Sequence, residues 1–141
     1  MTLIDKKLKD ATALAKAGNF EASISLLKTV VKEMGRVGGY PHSAFCKIIP
    51  YFQKAGLYDQ AETYCINDLF SAVETNCRIM FSQRNEETIQ AFVHLHKAMI
   101  FDKLRLIAKR ERRASDESRF VEQQSKHYSI YEQWFEKESK T

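Results

Sequence analysis

Apolar residues recur along this chain at helical intervals almost from end to end. Between Leu3 and Ala17 they fall at Ile4, Leu8, Ala11, Leu14 and Ala15, and Gly18-Asn19 supplies the stop. Phe20, Ile24, Leu27, Val31 and Met34 alternate three and four apart, which predicts a second helix with a single apolar stripe. So short a link forces the two helices into an antiparallel hairpin. Gly35 to Tyr40 gathers three of the five glycines and reads as the main flexible connection, after which Pro41 suits the first turn of a third helix.

That third helix carries Phe45, Ile48, Ile49 and Phe52 and runs to Gly56. Pro50 lies inside it, and an interior proline costs about 3 kcal/mol, so a bend or a break into two short helices is expected. Tyr58 opens a fourth helix with Ala61, Cys65, Leu69 and Ala72 on one face. Nothing stops it before Ser82 to Asn85, giving a length of about 25 residues by the period argument. Asn85, followed by Glu86 and Glu87, predicts the N-cap of a fifth helix that extends to about Arg113. Its face of Ile89, Phe92, Val93, His96, Met99, Ile100, Leu104 and Ile107, widened by Leu95 and Leu106, calls for neighbours on more than one side. Ser115-Asp116 restarts a sixth helix, with Ser115 as its N-cap, that aligns Phe120, His127, Tyr131 and Trp134, with Tyr128 and Phe135 beside them. Glu136 to Thr141 is polar and expected to fray.

Laying Gly56 on Gly18 superimposes Ala15-Lys16-Ala17-Gly18-Asn19-Phe20-Glu21-Ala22-Ser23 on Gln53-Lys54-Ala55-Gly56-Leu57-Tyr58-Asp59-Gln60-Ala61. Gly lets the backbone leave the first helix, the aromatic two positions later packs into the hairpin, and the small residue after that allows close approach. In these positions, Gly18, Phe20, Ser23 and Gly56, Tyr58, Ala61, the chain resembles tetratricopeptide repeats over roughly residues 4 to 72. The family's spacing is nearer 34 residues and its repeats end in a proline absent here. Residues 86–139 lack the motif and read as a degenerate third hairpin or as capping helices. The expectation is therefore a single all-α domain over 1–141, a stack of about three antiparallel hairpins at 4–34, 41–82 and 86–139, built from about six helices as a fragment of an α-solenoid.

The resemblance implies that the first helix of each pair lines a concave groove that receives a partner peptide or helix. Under the same superposition Lys9 matches Lys47 and Lys16 matches Lys54, so four lysines could form a ladder along that wall. Such a ladder favours an acidic or carboxylate-bearing segment, although the asparagines of the family's carboxylate clamp are not found. Ordinary solvated lysines are the alternative use.

Composition changes this picture little. Apolar residues make up 44% of the chain and charged ones 28%, enough for one core, while 5 Gly and 2 Pro are too few for an all-β fold rich in tight turns. No apolar run could cross a bilayer, and Met1 to Lys16 is too charged for a signal peptide, so a cytoplasmic protein without a membrane is expected. Cys46, Cys65 and Cys77 lack CxxC spacing and predict reduced, buried thiols rather than disulfides or a zinc site. The net charge of +4 is unevenly placed. Lys103, Arg105, Lys109, Arg110, Arg112 and Arg113 cluster at the end of helix five, where they suit the helix dipole or offer a docking surface for phosphate backbone or for an acidic partner.

Catalytic chemistry finds little support. His94 and His96 point about 200° apart on a helix and cannot share a metal ion, and His42 and His127 have no evident partner. Arg36 and His42 match the R-x5-H spacing of some helical ribonucleases, but the intervening Val-Gly-Gly-Tyr-Pro cannot form the helix that would converge them. There is no GxxxxGK[ST] loop. No enzyme, no cofactor and no metal are expected. The leading expectation is a non-catalytic protein-binding module acting as an adaptor, chaperone or inhibitor. The alternative is a nucleic-acid or nucleoprotein binder, such as an inhibitor of a nucleic-acid-processing complex, using the basic end of helix five. A homodimer through the broad face of that helix is a third reading.

Overall fold

A computed structural model describes residues 2–140, and among these every regular element is helical. In order they are α1 (Leu3–Lys16), α2 (Phe20–Val37), α3 (His42–Cys46), α4 (Ile49–Lys54), α5 (Tyr58–Tyr64), a π segment (Cys65–Leu69), α6 (Phe70–Met80), α7 (Glu86–Arg110) and α8 (Ala114–Ser139). Side-chain pairs define three antiparallel hairpins. Ser23 Oγ donates to Ala11 O at 2.7 Å while Lys7 reaches Glu33 at 2.8 Å, so α1 and α2 run in opposite directions. Phe52 of α4 meets Tyr64, and Tyr40, just before α3, meets Asn76, so this stretch runs antiparallel to the rod from Tyr58 to Met80. Phe101 meets Phe120 and Glu87 meets Lys137, pairing α7 with α8.

The three hairpin turns share one hydrogen-bond pattern. In the first, Asn19 N–H reaches back to Leu14 O with Gly18 at φ 82°; in the second, Leu57 N–H reaches Phe52 O with Gly56 at φ 76°. In the third, Arg113 N–H reaches Ala108 O with Arg112 at φ 56°. Each is a helix end closed by one left-handed residue, which satisfies carbonyls that would otherwise be orphaned. The last was hidden in the sequence because an arginine holds the glycine position. It also moves the predicted boundary: α7 stops at Arg110 rather than near Arg113, and Arg113, not Ser115, takes the N-cap position of α8.

Pro50 breaks the third helix as expected, and the mechanism is local. The α3 helix ends at Cys46, Lys47 and Ile48 form a turn, and Pro50 sits in the first turn of α4, where its missing N–H leaves no gap. Pro41 occupies the N-cap position of α3 and not its first turn. The long fourth rod contains a π segment that the sequence spacing did not predict, with Phe70 N–H bonding Cys65 O. Ala61, Cys65 and Leu69 are spaced four and four, which drifts off one face of a regular helix. The wider turn keeps Cys65 and Leu69 both fully buried. At the other end of the chain α8 persists through Ser139, so the fray expected from Glu136 is not seen in the described residues.

The core runs through all three hairpins. Leu27 and Met34 of α2, Phe45, Ile48, Ile49 and Phe52 of the middle hairpin, Ile100, Leu104 and Ile107 of α7 and Phe120 of α8 have essentially no exposed surface. Gly35 of α2 lies so close to Ala72 that a Cβ there would sit 2.9 Å from the Ala72 carbonyl oxygen, so the α2–α6 approach requires glycine. The Gly38-Gly39-Tyr40 connection is clamped by buried Asn76, which accepts from Tyr40 N–H at 3.1 Å and donates to Tyr40 O at 3.0 Å. A smaller cluster of Cys77, Ile89 and Val93, covered by Phe81 and Phe92, closes the far end. Asn85 caps α7 as predicted, accepting from Thr88 N–H at 2.8 Å.

Candidate functional site

Lys9, Thr12 and Lys16 are three and four residues apart and therefore share one face of α1. Across from them stands Lys47, carried on the turn that Pro50 imposes between α3 and α4. Together with Leu8 and Ala13 these residues line an open groove of about 320 Å³. Lys47 Nζ donates to the Thr12 hydroxyl, which in turn donates to Leu8 O at 3.1 Å. No carboxylate pairs with Lys9, Lys16 or Lys47 among the described residues. Partial burial, reinforced by the Lys16 ammonium, holds the Lys47 amine below its ordinary range. The groove is thus a site where positive charge is concentrated, incompletely solvated and not internally neutralised.

Lys54, the fourth member of the expected ladder, falls elsewhere. Its ammonium sits 5.8 Å from the centre of the Phe20 ring, beside the Gly18-Asn19 turn.

The basic end of α7 does not form one patch. Arg105 is held by Asp102 at 2.8 Å, and Arg113 lies over the Tyr58 ring at 5.0 Å with Asp59 at 3.6 Å. Lys103, Lys109, Arg110 and Arg112 are exposed without an ion-pair partner among the described residues. Lys103 and Arg110, seven apart, share a side of the helix, whereas Lys109 lies about 120° round from Lys103. Part of the cluster is therefore structural, and the rest faces in different directions.

The link between α5 and α8 was not legible in sequence. Tyr58 donates its hydroxyl to Asp116 at 2.7 Å, and Arg119 bridges Asp116 and Glu62. Asp116 is consequently held below the usual carboxylate range, chiefly by the Tyr58 hydrogen bond, and burial with that same bond raises the Tyr58 phenol. The repeated aromatic of the second hairpin turn thus also ties down the third hairpin.

The four histidines sort into two pairs, each spanning two elements. His94 and His127 bring their Nδ1 atoms to 2.8 Å, and His42 and His96 place ring centres 6.0 Å apart. No group of three or more metal-ligating side chains occurs among the described residues. Arg36 lines a groove with Lys32 and Asp68, while His42 faces His96, so these two do not converge. All three cysteines are buried; burial raises the Cys46 thiol to about 12 and the Cys77 thiol to about 11, which keeps them protonated.

The aromatic end of α8 divides. Tyr131 and Trp134 pack on Phe92, with centroids at 5.7 and 5.3 Å, and Phe92 stacks on Phe81. Tyr128 and Phe135 are 44% and 54% exposed. No helix among the described residues is long and apolar enough to cross a membrane. Comparison with protein-family models, with curated proteins and with solved structures gives no match to this chain.

Proposed function

We propose that this protein is a non-catalytic binding module that captures an acidic segment of another protein in the groove between α1 and the α3–α4 turn. The observation that carries this reading is Lys47. A half-buried ammonium, bonded only to a neutral hydroxyl and repelled by Lys16, is an anion site awaiting its anion. Lys9 and Lys16 extend the charge along α1 for more than one carboxylate. The repeated turn at Gly18, Gly56 and Arg112 supports the tetratricopeptide-like reading, in which such first-helix faces receive peptides. The mode of action is occupancy, as an adaptor, chaperone or inhibitor. Three buried, unpaired thiols suit the reducing cytoplasm.

Titration with an oligoglutamate peptide and with an oligolysine peptide tests the reading. The glutamate peptide is expected to bind, to weaken with salt, and to be lost in Lys9→Glu combined with Lys47→Met. Failure of the wild-type protein to distinguish the two peptides overturns it. Four exposed cations between Lys103 and Arg112, with no ion-pair partner among the described residues, favour nucleic acid as the second reading. Under it, retention on immobilised duplex DNA falls steeply with salt and is abolished by reversing Lys103, Arg110 and Arg112, while the Lys9→Glu, Lys47→Met variant binds normally.

A further inference from the structure

We infer that the outward face of α8 formed by Val121, Tyr128, Tyr131 and Phe135 is a docking seam for a basic amphipathic helix of another protein. Val121, Tyr128 and Phe135 follow one another at intervals of seven, with Tyr131 three residues after Tyr128. This is the spacing that meshes with a neighbouring helix. The seam lies to one side of the line by which α8 packs on α7, where Phe120, His127 and Trp134 face inward. A helix that needs one apolar stripe for its own fold here carries a second. Val121, Tyr128 and Phe135 are 43%, 44% and 54% exposed, so among the described residues they remain substantially uncovered.

Charge selects the occupant. Glu132 and Glu136 line the same depression as Tyr128, Tyr131 and Phe135, a space of about 450 Å³, and neither has an ion-pair partner among the described residues. The basic side chains of the helix body are already neutralised: Arg119 by Glu62 and Asp116, Lys126 by Glu122, and Lys137 by Glu87. Within the lining of this depression the charged groups beside the apolar seam are therefore carboxylates. A second copy docked parallel, with the two-fold axis running along α8, is a poor fit, since it would set Glu132 and Glu136 against their own counterparts. An anionic membrane surface is excluded for the same reason. Lys and Arg side chains flanking a leucine stripe meet both requirements, and they add cation–π contact with Tyr128 and Phe135. From Val121 to Phe135 the seam is about 21 Å long, enough for two heptads of a partner.

The chain has one tryptophan, and Trp134 lies 5.8 Å from Tyr131, so its fluorescence reports occupancy of the seam. The probe is a designed helix of about three heptads with leucine at the seam positions and lysine flanking, compared with its leucine–glutamate counterpart. The lysine helix is expected to shift Trp134 emission saturably and the glutamate helix to leave it unchanged. Tyr128→Ser with Phe135→Ser, and separately Glu132→Lys with Glu136→Lys, should each weaken binding by about tenfold or more. All four positions are exposed, and far-ultraviolet dichroism confirms that each variant folds. Should the serine variant unfold, the lysine variant decides alone. Equal binding of both probes, or wild-type affinity in a folded variant, overturns the inference. So does a wild-type dimer in sedimentation that the Tyr128→Ser, Phe135→Ser variant dissolves, since the second copy would then be the occupant.

Discussion

The Nδ1 atoms of His94 and His127 stand 2.8 Å apart and join α7 to α8. At that distance one nitrogen donates its proton and the other accepts it, so a neutral pair is satisfied and a doubly protonated pair sets two donors face to face. His127 also stacks on Phe101, with centroids 5.5 Å apart, and packs edge-on against Phe70. Burial depresses both imidazoles, His127 to about 4, and nearby Lys97 adds to the effect, while Glu74 opposes it at His94. Each histidine therefore binds protons more readily in the unfolded chain.

Stability should accordingly be highest above the ordinary histidine range near 6.5 and fall as pH drops through it toward about 4. His96, also held to about 4 by burial and by His42, contributes in the same direction. Carboxylates with depressed values, such as Glu86 at about 2, lose their contribution only at lower pH. The loss between pH 6.5 and 5 belongs to the histidines. Urea midpoints across that interval should flatten, though not completely, in a His94→Leu, His127→Phe variant. An unchanged slope removes the pair from the account.

Gly35→Ala separates propensity from packing. In an exposed helix interior the change would stabilise by about 1 kcal/mol. Here the added Cβ meets the Ala72 carbonyl at 2.9 Å, backbone that cannot swing aside. A net loss of about 1–3 kcal/mol is expected, read from the denaturation midpoint. A more stable variant would mean that α2 and α6 do not approach as described.

Arg112→Gly should do the opposite. Arg112 is exposed, has no ion partner and holds φ 56°, a conformation that costs an L-residue about 1–2 kcal/mol. Part of the gain is offset by the greater freedom of glycine in the unfolded chain, leaving a net stabilisation of about 1 kcal/mol or less. Gly18→Ala and Gly56→Ala give the mirror-image test. Nothing lies within 4 Å of a Cβ at either position, so any destabilisation there is purely conformational. If Arg112→Gly lowers the melting temperature, the third turn is not the counterpart of the other two.

These comparisons also mark what sequence could convey. The three-four apolar rhythm of α2 and α7 located the helices, because periodicity reports a buried stripe directly. Gly18 and Gly56 announced their turns, because left-handed backbone favours glycine. The same turn at Arg112 was invisible, since the backbone there is dictated by the hairpin it closes and not by the residue's own preference. The π segment was likewise hidden in a four-four spacing that a regular helix tolerates locally. Of the lysine ladder, Lys9, Lys16 and Lys47 do share a groove, while Lys54 lies over the Phe20 ring beside the first hairpin turn. The pairing of His94 with His127 depends on the register of α8 against α7, which no local pattern encodes.

Lys7 and Lys47 are two partly buried lysines whose replacement by methionine should have opposite effects. Lys7 pairs with Glu33 at 2.8 Å between α1 and α2, so Lys7→Met leaves a carboxylate without its partner and should cost up to about 1 kcal/mol. Lys47 faces only the Thr12 hydroxyl and the like charge of Lys16. Methionine preserves the length of its apolar stem, relieves desolvation and repulsion together, and leaves Thr12 still bonded to Leu8 O. Lys47→Met is therefore expected to match the wild type in stability or exceed it by about 1 kcal/mol or less. Urea midpoints of the two variants, measured side by side, make the comparison. That outcome would support the proposed role of Lys47 as an anion site, since a charge the fold does not need is then kept for a ligand. Destabilisation of Lys47→Met as large as that of Lys7→Met would make Lys47 a structural cation and leave the groove without the charge on which acidic-segment capture depends.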